Sequence, residues 1–244
     1  MKILVCISKV PDTTAKISFT EGGKNFNTEG VQFIMNPYDE WYALVRALEL
    51  KEAHGGSVTV VNVGPAGNDS IIRKALAIGA DNAIRVNVEA SSSMFVAKQI
   101  AAVAGEYDIV FTGKETINYN SSEIGAMIAE FLEVPFISYT IHMEMNGNMA
   151  TLTREIEGGH EVVEVQTPFV LSAAKGLAEQ RIPNMRGIMM AKRKPLKVVE
   201  AVDFQDAAVP VKYDLPDEKG GTKYIDADNM KELVRLLHEE AKVI

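Results

Sequence analysis

A single cysteine, Cys6, is all the thiol this 244-residue chain carries, so no disulfide can form within it, and a reducing, cytoplasmic setting is expected. Long hydrophobic runs are missing too. Charged residues interrupt every apolar stretch before the roughly 18–20 residues that a membrane-spanning helix needs, so no membrane span is expected. The opening MKILVCISKVP is too short an apolar run for a secretion signal and lacks a small-residue cleavage pattern; it reads as a strand. Histidine is scarce. His54, His142, His160 and His238 stand apart, none with a second His, Cys or carboxylate at zinc-site spacing, so no metal is expected. Positive charge is not in excess either: the net charge of −8 excludes a general nucleic-acid binder, which must neutralise phosphates. Lys192-Arg193-Lys194 is the local exception. Finally, there is no GxxxxGK(S/T), no GxGxxG after a strand and no GxSxG, which removes the P-loop, the ordinary dinucleotide fold and the serine-hydrolase elbow.

What is present is an alternation of strand and helix patterns. Residues 2–8 form an apolar run suited to a strand buried on both faces of a parallel sheet. Asn36-Pro37 gives a cap and a first-turn proline for a helix whose apolar stripe is Trp41, Leu44, Val45 and Leu48. The β-branched run 57–63, bounded by glycines, predicts a strand, followed by a helix over 68–78, a strand over 81–88, a helix over 93–104 and a strand over 108–112. A further helix, over 122–132, carries Ile124, Met127, Ile128, Phe131 and Leu132 on one stripe. This is the signature of a doubly wound, mostly parallel α/β sheet. The pattern then changes to an antiparallel hairpin region, 137–145, 149–156 and 160–166, turning at Asn146-Gly147 and Gly158-Gly159, with one more buried strand at 168–172. An α/β domain is thus expected over 1–180. Residues 181–244 are expected as a loop and an extended C-terminal arm, ending in an amphipathic helix through Leu233, Val234, Leu236, Leu237 and Ala241 that must dock on something.

In an open parallel sheet, ligands bind beyond the carboxyl ends of the strands. Three loops meet there: 6–10, 63–67 and 113–123. The third, GKETINYNSSE, leads polar groups into a helix start, which suits a phosphate, although Asn and Ser at such a place also serve as plain caps. Cys6 lies inside the first strand and is expected to be inert. Glu155, Glu157 and Glu161 alternate along predicted strands and read as a solvated face, not an acid/base pair. In the segment 179–196, Met185, Ile188, Met189 and Met190 crowd a predicted loop beside the basic cluster. They either offer an adaptable docking surface or fold back on the core.

Taken in order, ILVCISKVPD, MNPYDEWYALVRALELKE, VTVVNVGPA, IRKALAIGAD, DIVFTGKETI, TREIEGGHEVVEV and EQRIPNMRGIMMAKRKPL make the chain resemble, over nearly its full length, the beta subunit of electron transfer flavoproteins. The resemblance implies a heterodimer with an alpha subunit that holds most of the FAD, takes electrons from dehydrogenases and passes them to an acceptor. It implies no catalysis by this chain. AMP is implied within this subunit, at the positions matching Cys6, Asn36, Pro37, Tyr38, Asp39, Val63, Asn118, Tyr119, Asn120, Ser121, Ser122, Glu123, Ile124, Gly125, Ala126, Met127, Ile128 and Ala129. Glu155 matches a carboxylate that meets an arginine near the flavin across the interface, and 181–190 matches the loop that docks dehydrogenases, with Met185, a leucine in relatives, as its anchor and Ile188 and Met189 beside it. NYNSSEIG departs from the family's nucleotide loop: Glu123 stands where glutamine is common, and the DGDT-type loop of members that hold a second FAD is missing. AMP is therefore the expected occupant, with a second FAD, or a stand-alone adenine-nucleotide regulator, as the alternative readings.

Overall fold

The structure, a computed structural model, describes every residue except 207, 209 and 219. Lys2–Cys6 forms β1, and its side chains divide between two cores: Ile3 and Val5 enter one, Leu4 and Cys6 the other. The glycine-marked stretch that follows holds four short strands the sequence did not announce. These are β2 (Lys9–Pro11), the small hairpin β3 (Phe19–Thr20) and β4 (Asn25–Phe26), and β5 (Phe33–Met35), which pairs back on β2. Then come α1 (Asp39–His54), β6 (Ser57–Val63), α2 (Asp69–Ile78), β7 (Asn82–Val86), α3 (Ser93–Ala104), β8 (Ile109–Gly113) and α4 (Ile124–Leu132). The antiparallel region is β9 (Phe136–Asn146), β10 (Met149–Ile156) and β11 (Gly159–Gln166), and β12 (Phe169–Ala173) is buried throughout. The chain closes with α5 (Met185–Ala191), β13 (Leu196–Val199) and α6 (Met230–Arg235), the last running into a wider turn over Leu236–Glu240.

The main sheet has nine strands in the order β11-β10-β9-β12-β8-β1-β6-β7-β13. From β9 to β13 all neighbours are parallel; β10 and β11 extend the sheet antiparallel. Helices α1 and α2 cover one face, through Leu44, Leu48, Ile72 and Leu76, and α3 and α4 cover the other, through Ala97, Ile100, Ile128 and Ala129. The doubly wound α/β expectation therefore holds. After β1 the chain moves to β6, whereas after β8 it moves the other way, towards β9. The strand order thus reverses between β1 and β8, and a crevice opens at their carboxyl ends.

Three local expectations change. The first concerns α1, which starts at Asp39, not at Asn36-Pro37; Tyr38 stands before it at φ 65° with no side-chain cap, because Asn36 is fully buried and committed elsewhere. The second concerns the hairpin turns, which lie one residue from their expected places. Asn146 pairs with Met149 and Ile156 with Gly159, leaving Gly147-Asn148 and Glu157-Gly158 as the turns, and positive φ falls on Gly147 and Gly158. The third concerns the Met-rich segment, which is a helix and not a loop. Asn184 accepts from Gly187 N at 2.8 Å, and Arg73 Nη1 donates to the carbonyls of Ala191 and Lys194, both at 2.7 Å. Lys194 Nζ in turn donates to Leu76 O at 2.9 Å and Ala80 O at 2.6 Å, closing the end of α2. Burial lowers the pKa of that ammonium. So short a helix is marginal alone, and these bonds to α2 hold it. Gly187 lies close against α2: a Cβ there would stand 2.4 Å from Ala77 O. Beyond it β13 adds to the sheet edge beside β7, so part of the expected arm is sheet.

Candidate functional site

The floor of the crevice is polar. Beyond β1, Ser8 donates from N to Glu40 Oε2 and from Oγ to Glu40 Oε1, each at 2.7 Å. Glu40 sits in the first turn of α1 and is almost fully buried. It reaches the end of β8 because residue 113 is glycine: a Cβ there would lie 2.9 Å from both Glu40 Cγ and Glu40 N. Burial pushes the Glu40 carboxyl up to about 8, against the two Ser8 hydrogen bonds, and neighbouring Asp39 adds to the rise. Asp39 is itself raised by burial, opposed by Lys114. On the β6 side, Asn62 Nδ2 donates to Ile7 O at 2.8 Å and Asn68 Nδ2 donates to Asn62 Oδ1 at 2.9 Å. Arg85, also buried, donates to Gly64 O at 3.0 Å and Asn87 Oδ1 at 2.7 Å. Its Nε lies 2.8 Å from Asp69 Oδ1, an ion pair out of line for a hydrogen bond. Glu40, Asn62 and Arg85 were not among the residues expected from sequence; for Asn62 and Arg85 the signal was a polar residue at a strand position between apolar ones, as in VNV and IRV, and Glu40, in a helix, had none.

The residues singled out from sequence fall in four places. Cys6 and Val63 end β1 and β6 and share one core cluster. Burial pushes the Cys6 thiol far above its ordinary range, with Glu40 adding to it, so it stays protonated and inert. Asn36 ties the second group together: its Nδ2 donates to Glu115 O at 3.1 Å and its Oδ1 accepts from Ile117 N at 3.0 Å, fixing the start of the loop after β8. That loop exposes Asn118, Tyr119, Asn120 and Ser121 and enters α4 at Ile124, two residues later than expected. Glu123 stands in the cap position without a side-chain cap bond, which leaves the first-turn amides of Gly125 and Ala126 with no side-chain acceptor. Met127 is half-buried, whereas Ile128 and Ala129 face the core.

Pro37, Tyr38 and Asp39 line a cavity of about 230 Å³ with Lys114, Glu115 and Lys175. A neighbouring depression of about 310 Å³ joins Lys114, Glu115 and Ser122 to Tyr139 and Glu155. Glu155 is exposed on β10, as are Glu157 in the turn and Glu161 on β11, which agrees with a solvated face. Met185, Ile188 and Met189 belong to a different surface. They are exposed on α5, which lies against the C-terminal turn of α2, at the end of the sheet away from the crevice.

A doubly wound sheet with a polar crevice beyond its strand ends places the chain among the open-sheet α/β proteins. The model of the electron transfer flavoprotein domain matches residues 24–204. The chain is 35% identical to the electron transfer flavoprotein subunit beta of Bacillus subtilis over the whole of both chains, and 31% identical, again over the whole of both, to the mitochondrial beta subunit of Arabidopsis thaliana. It is 30% identical to the acryloyl-CoA reductase electron transfer subunit gamma of Anaerotignum propionicum, covering 84% of this chain and 80% of that one. The chain belongs to the electron transfer flavoprotein family, among the beta subunits. Among the described residues no helix is long and apolar enough to cross a membrane.

Glu40 gives the crevice a pH signature. Its folded-state pKa, about 8, lies above the ordinary 4.5, so from about pH 4.5 to 8 the folded chain holds a proton that the unfolded chain has lost. Stability therefore falls as pH rises through that window and levels off above it. Glu40→Gln removes the charge and keeps both Ser8 contacts if its Oε1 accepts from Ser8 N and its Nε2 donates to Ser8 Oγ, whose hydroxyl turns to accept. Denaturant unfolding of this variant is expected to lose that slope and to show roughly 2–4 kcal/mol more stability than the parent above pH 8.

Proposed function

We propose that this chain is the nucleotide-holding, partner-docking half of a heterodimeric electron carrier. It binds AMP in its strand-end crevice and docks on an alpha subunit that holds most of the FAD. Electrons from dehydrogenases reach that FAD and leave it for an acceptor, without catalysis by this chain. The observation that carries the reading is the loop 114–123 at the strand-order reversal, which delivers the uncapped first turn of α4 into the crevice. The amides of Gly125 and Ala126, at the positive end of a nine-residue helix, suit a phosphate. The adenine would lie near Cys6 and Val63, with the Asn36–Asp39 segment beside it. AMP is favoured over a second FAD because NYNSSE lacks the DGDT-type loop.

Two surfaces serve the partners. Glu155, in the depression shared with Lys114 and Ser122, faces the flavin domain and biases its orientation. The α5 face of Met185, Ile188 and Met189, held on α2 by Arg73 and Lys194, receives the dehydrogenase. Flexible methionines in place of branched anchors suit donors of varied shape.

Mass spectrometry of the small molecules released from the chain co-expressed with its alpha subunit is expected to give one AMP and one FAD per heterodimer; two FAD, or no AMP, would overturn the nucleotide assignment. Met185→Asp is expected to slow reduction of the heterodimer by its dehydrogenase roughly tenfold, as loss of an interface anchor does, while heterodimer formation stays intact. Unchanged reduction kinetics would remove α5 from the docking surface. Glu155→Ala is expected to keep AMP bound yet shift the X-ray scattering profile as the flavin domain redistributes; superimposable profiles count against the Glu155 role.

A further inference from the structure

Loop 114–123 is strained and needs support from outside itself. Ser122 adopts φ 54°, in the left-handed region that such residues avoid at a cost of about 1 kcal/mol or more, and Asn120, which tolerates that region better, adopts φ 53°. Such conformations persist where neighbours fix them. Asn36 supplies one support, at Glu115 and Ile117. The other comes from the arm that follows β13.

That arm is fastened along the α3/α4 face. Gln99, only 1% exposed, exchanges two hydrogen bonds with the backbone of Val202, at 2.8 and 2.9 Å, and Phe204 meets Phe131 of α4 edge-to-face at 6.0 Å. The Asp206 carboxylate then sits at the start of α3. It accepts from Ser91 Oγ at 2.6 Å, from Ser92 N at 3.1 Å and from Ser92 Oγ, while Ser92 itself caps α3 by accepting from Phe95 N. Those serine hydroxyls hold the carboxyl low, near 2. From the same place Ser93 Oγ reaches Ser121 Oγ of the loop at 3.5 Å. Further along the arm, the Tyr213 hydroxyl lies 3.3 Å from that of Tyr119 in the loop.

Tyr213 is also anchored on its far side. It stacks on Phe19 of the β3–β4 hairpin, with centroids 5.2 Å apart and planes 11° from parallel, and its N donates to Gly23 O at 2.7 Å. Gly23, at φ 92°, admits this approach: a Cβ there would lie 2.5 Å from Tyr213 O. Phe19 contacts Phe26, and Phe26 contacts Phe33 of β5, the strand that leads into Asn36. The loop is thus gripped at its start by Asn36 and near its tip by the arm, and both grips return to β5.

We propose that Asp206 and Tyr213 are positioning residues of the nucleotide site, the arm acting as a clasp that holds loop 114–123 in its strained, binding-ready shape and slows nucleotide release. The proposal rests on the AMP reading above. By linkage the coupling is reciprocal, so nucleotide in the crevice steadies the arm as the arm steadies the loop.

The test uses the co-expressed heterodimer, with hydrogen exchange of residues 118–123 and release of labelled AMP into excess unlabelled AMP as readouts. Tyr213→Ala and Asp206→Ala are expected to release AMP roughly tenfold faster and to raise exchange across 118–123; Tyr213→Phe, which keeps the Phe19 stack and loses only the hydroxyl pair, is expected to do so roughly threefold. Added AMP is expected to slow exchange across 201–206 in the parent. Release and loop exchange unchanged in the Tyr213→Phe and Asp206→Ala proteins would overturn the clasp. Should the parent hold no AMP, the AMP reading fails separately, and loop exchange alone decides: faster in the variants supports the clasp, unchanged overturns it.

Discussion

β1 lies between β6 and β8 with parallel neighbours on both sides and helices over both faces, and the crevice depends on that placement. A strand so enclosed can satisfy its backbone only through its two neighbours. The chain then has to leave β1 and β8 in opposite directions to cover the two faces. The opening between their carboxyl ends is the consequence of that divergence, and it exposes backbone ends and helix starts to whatever occupies it.

The walls of the opening are held by buried amide and carboxyl groups, not by apolar contacts alone. Asn36, Asn62 and Glu40 each join two segments far apart in sequence, and each is satisfied by named partners. Leaving any of these groups unpaired in the interior would cost more than the bond itself is worth, so the bridges fix geometry as much as they add stability. Glu40 is the extreme case: a carboxyl with two donors, yet buried deeply enough that burial outweighs them. Gly113 is what permits that arrangement, since any Cβ would displace the first turn of α1.

The two ends of the sheet carry different kinds of surface. At the carboxyl end lie the polar crevice, the strained loop after β8 and the arm that crosses to it. At the other end α5 presents methionine and isoleucine side chains on a backbone clamped by Arg73 and Lys194. On the function proposed above, a ligand at one end and a partner at the other would not compete for space. The clamp also explains part of the basic cluster: Lys194 serves α2, while Lys192 and Arg193 remain exposed.

Read alone, the sequence determined the doubly wound α/β class, the position of nearly every large element and the three loops of the crevice, because apolar periodicity and glycine boundaries are local signals. It also determined the beta-subunit resemblance, through motifs strung along one chain. It misplaced the start of α1, since Asn-Pro is a good cap signal but Asn36 has a stronger claim in the loop after β8. It took α5 for a loop, because a seven-residue helix owes its existence to carbonyls and side chains of α2 that lie over a hundred residues earlier. The joining of Asp206 to α3 and of Tyr213 to Tyr119 was likewise beyond it. Those contacts are made between residues distant in sequence, whose meeting is fixed by strand order and not by any local preference, and only the tertiary structure decided them.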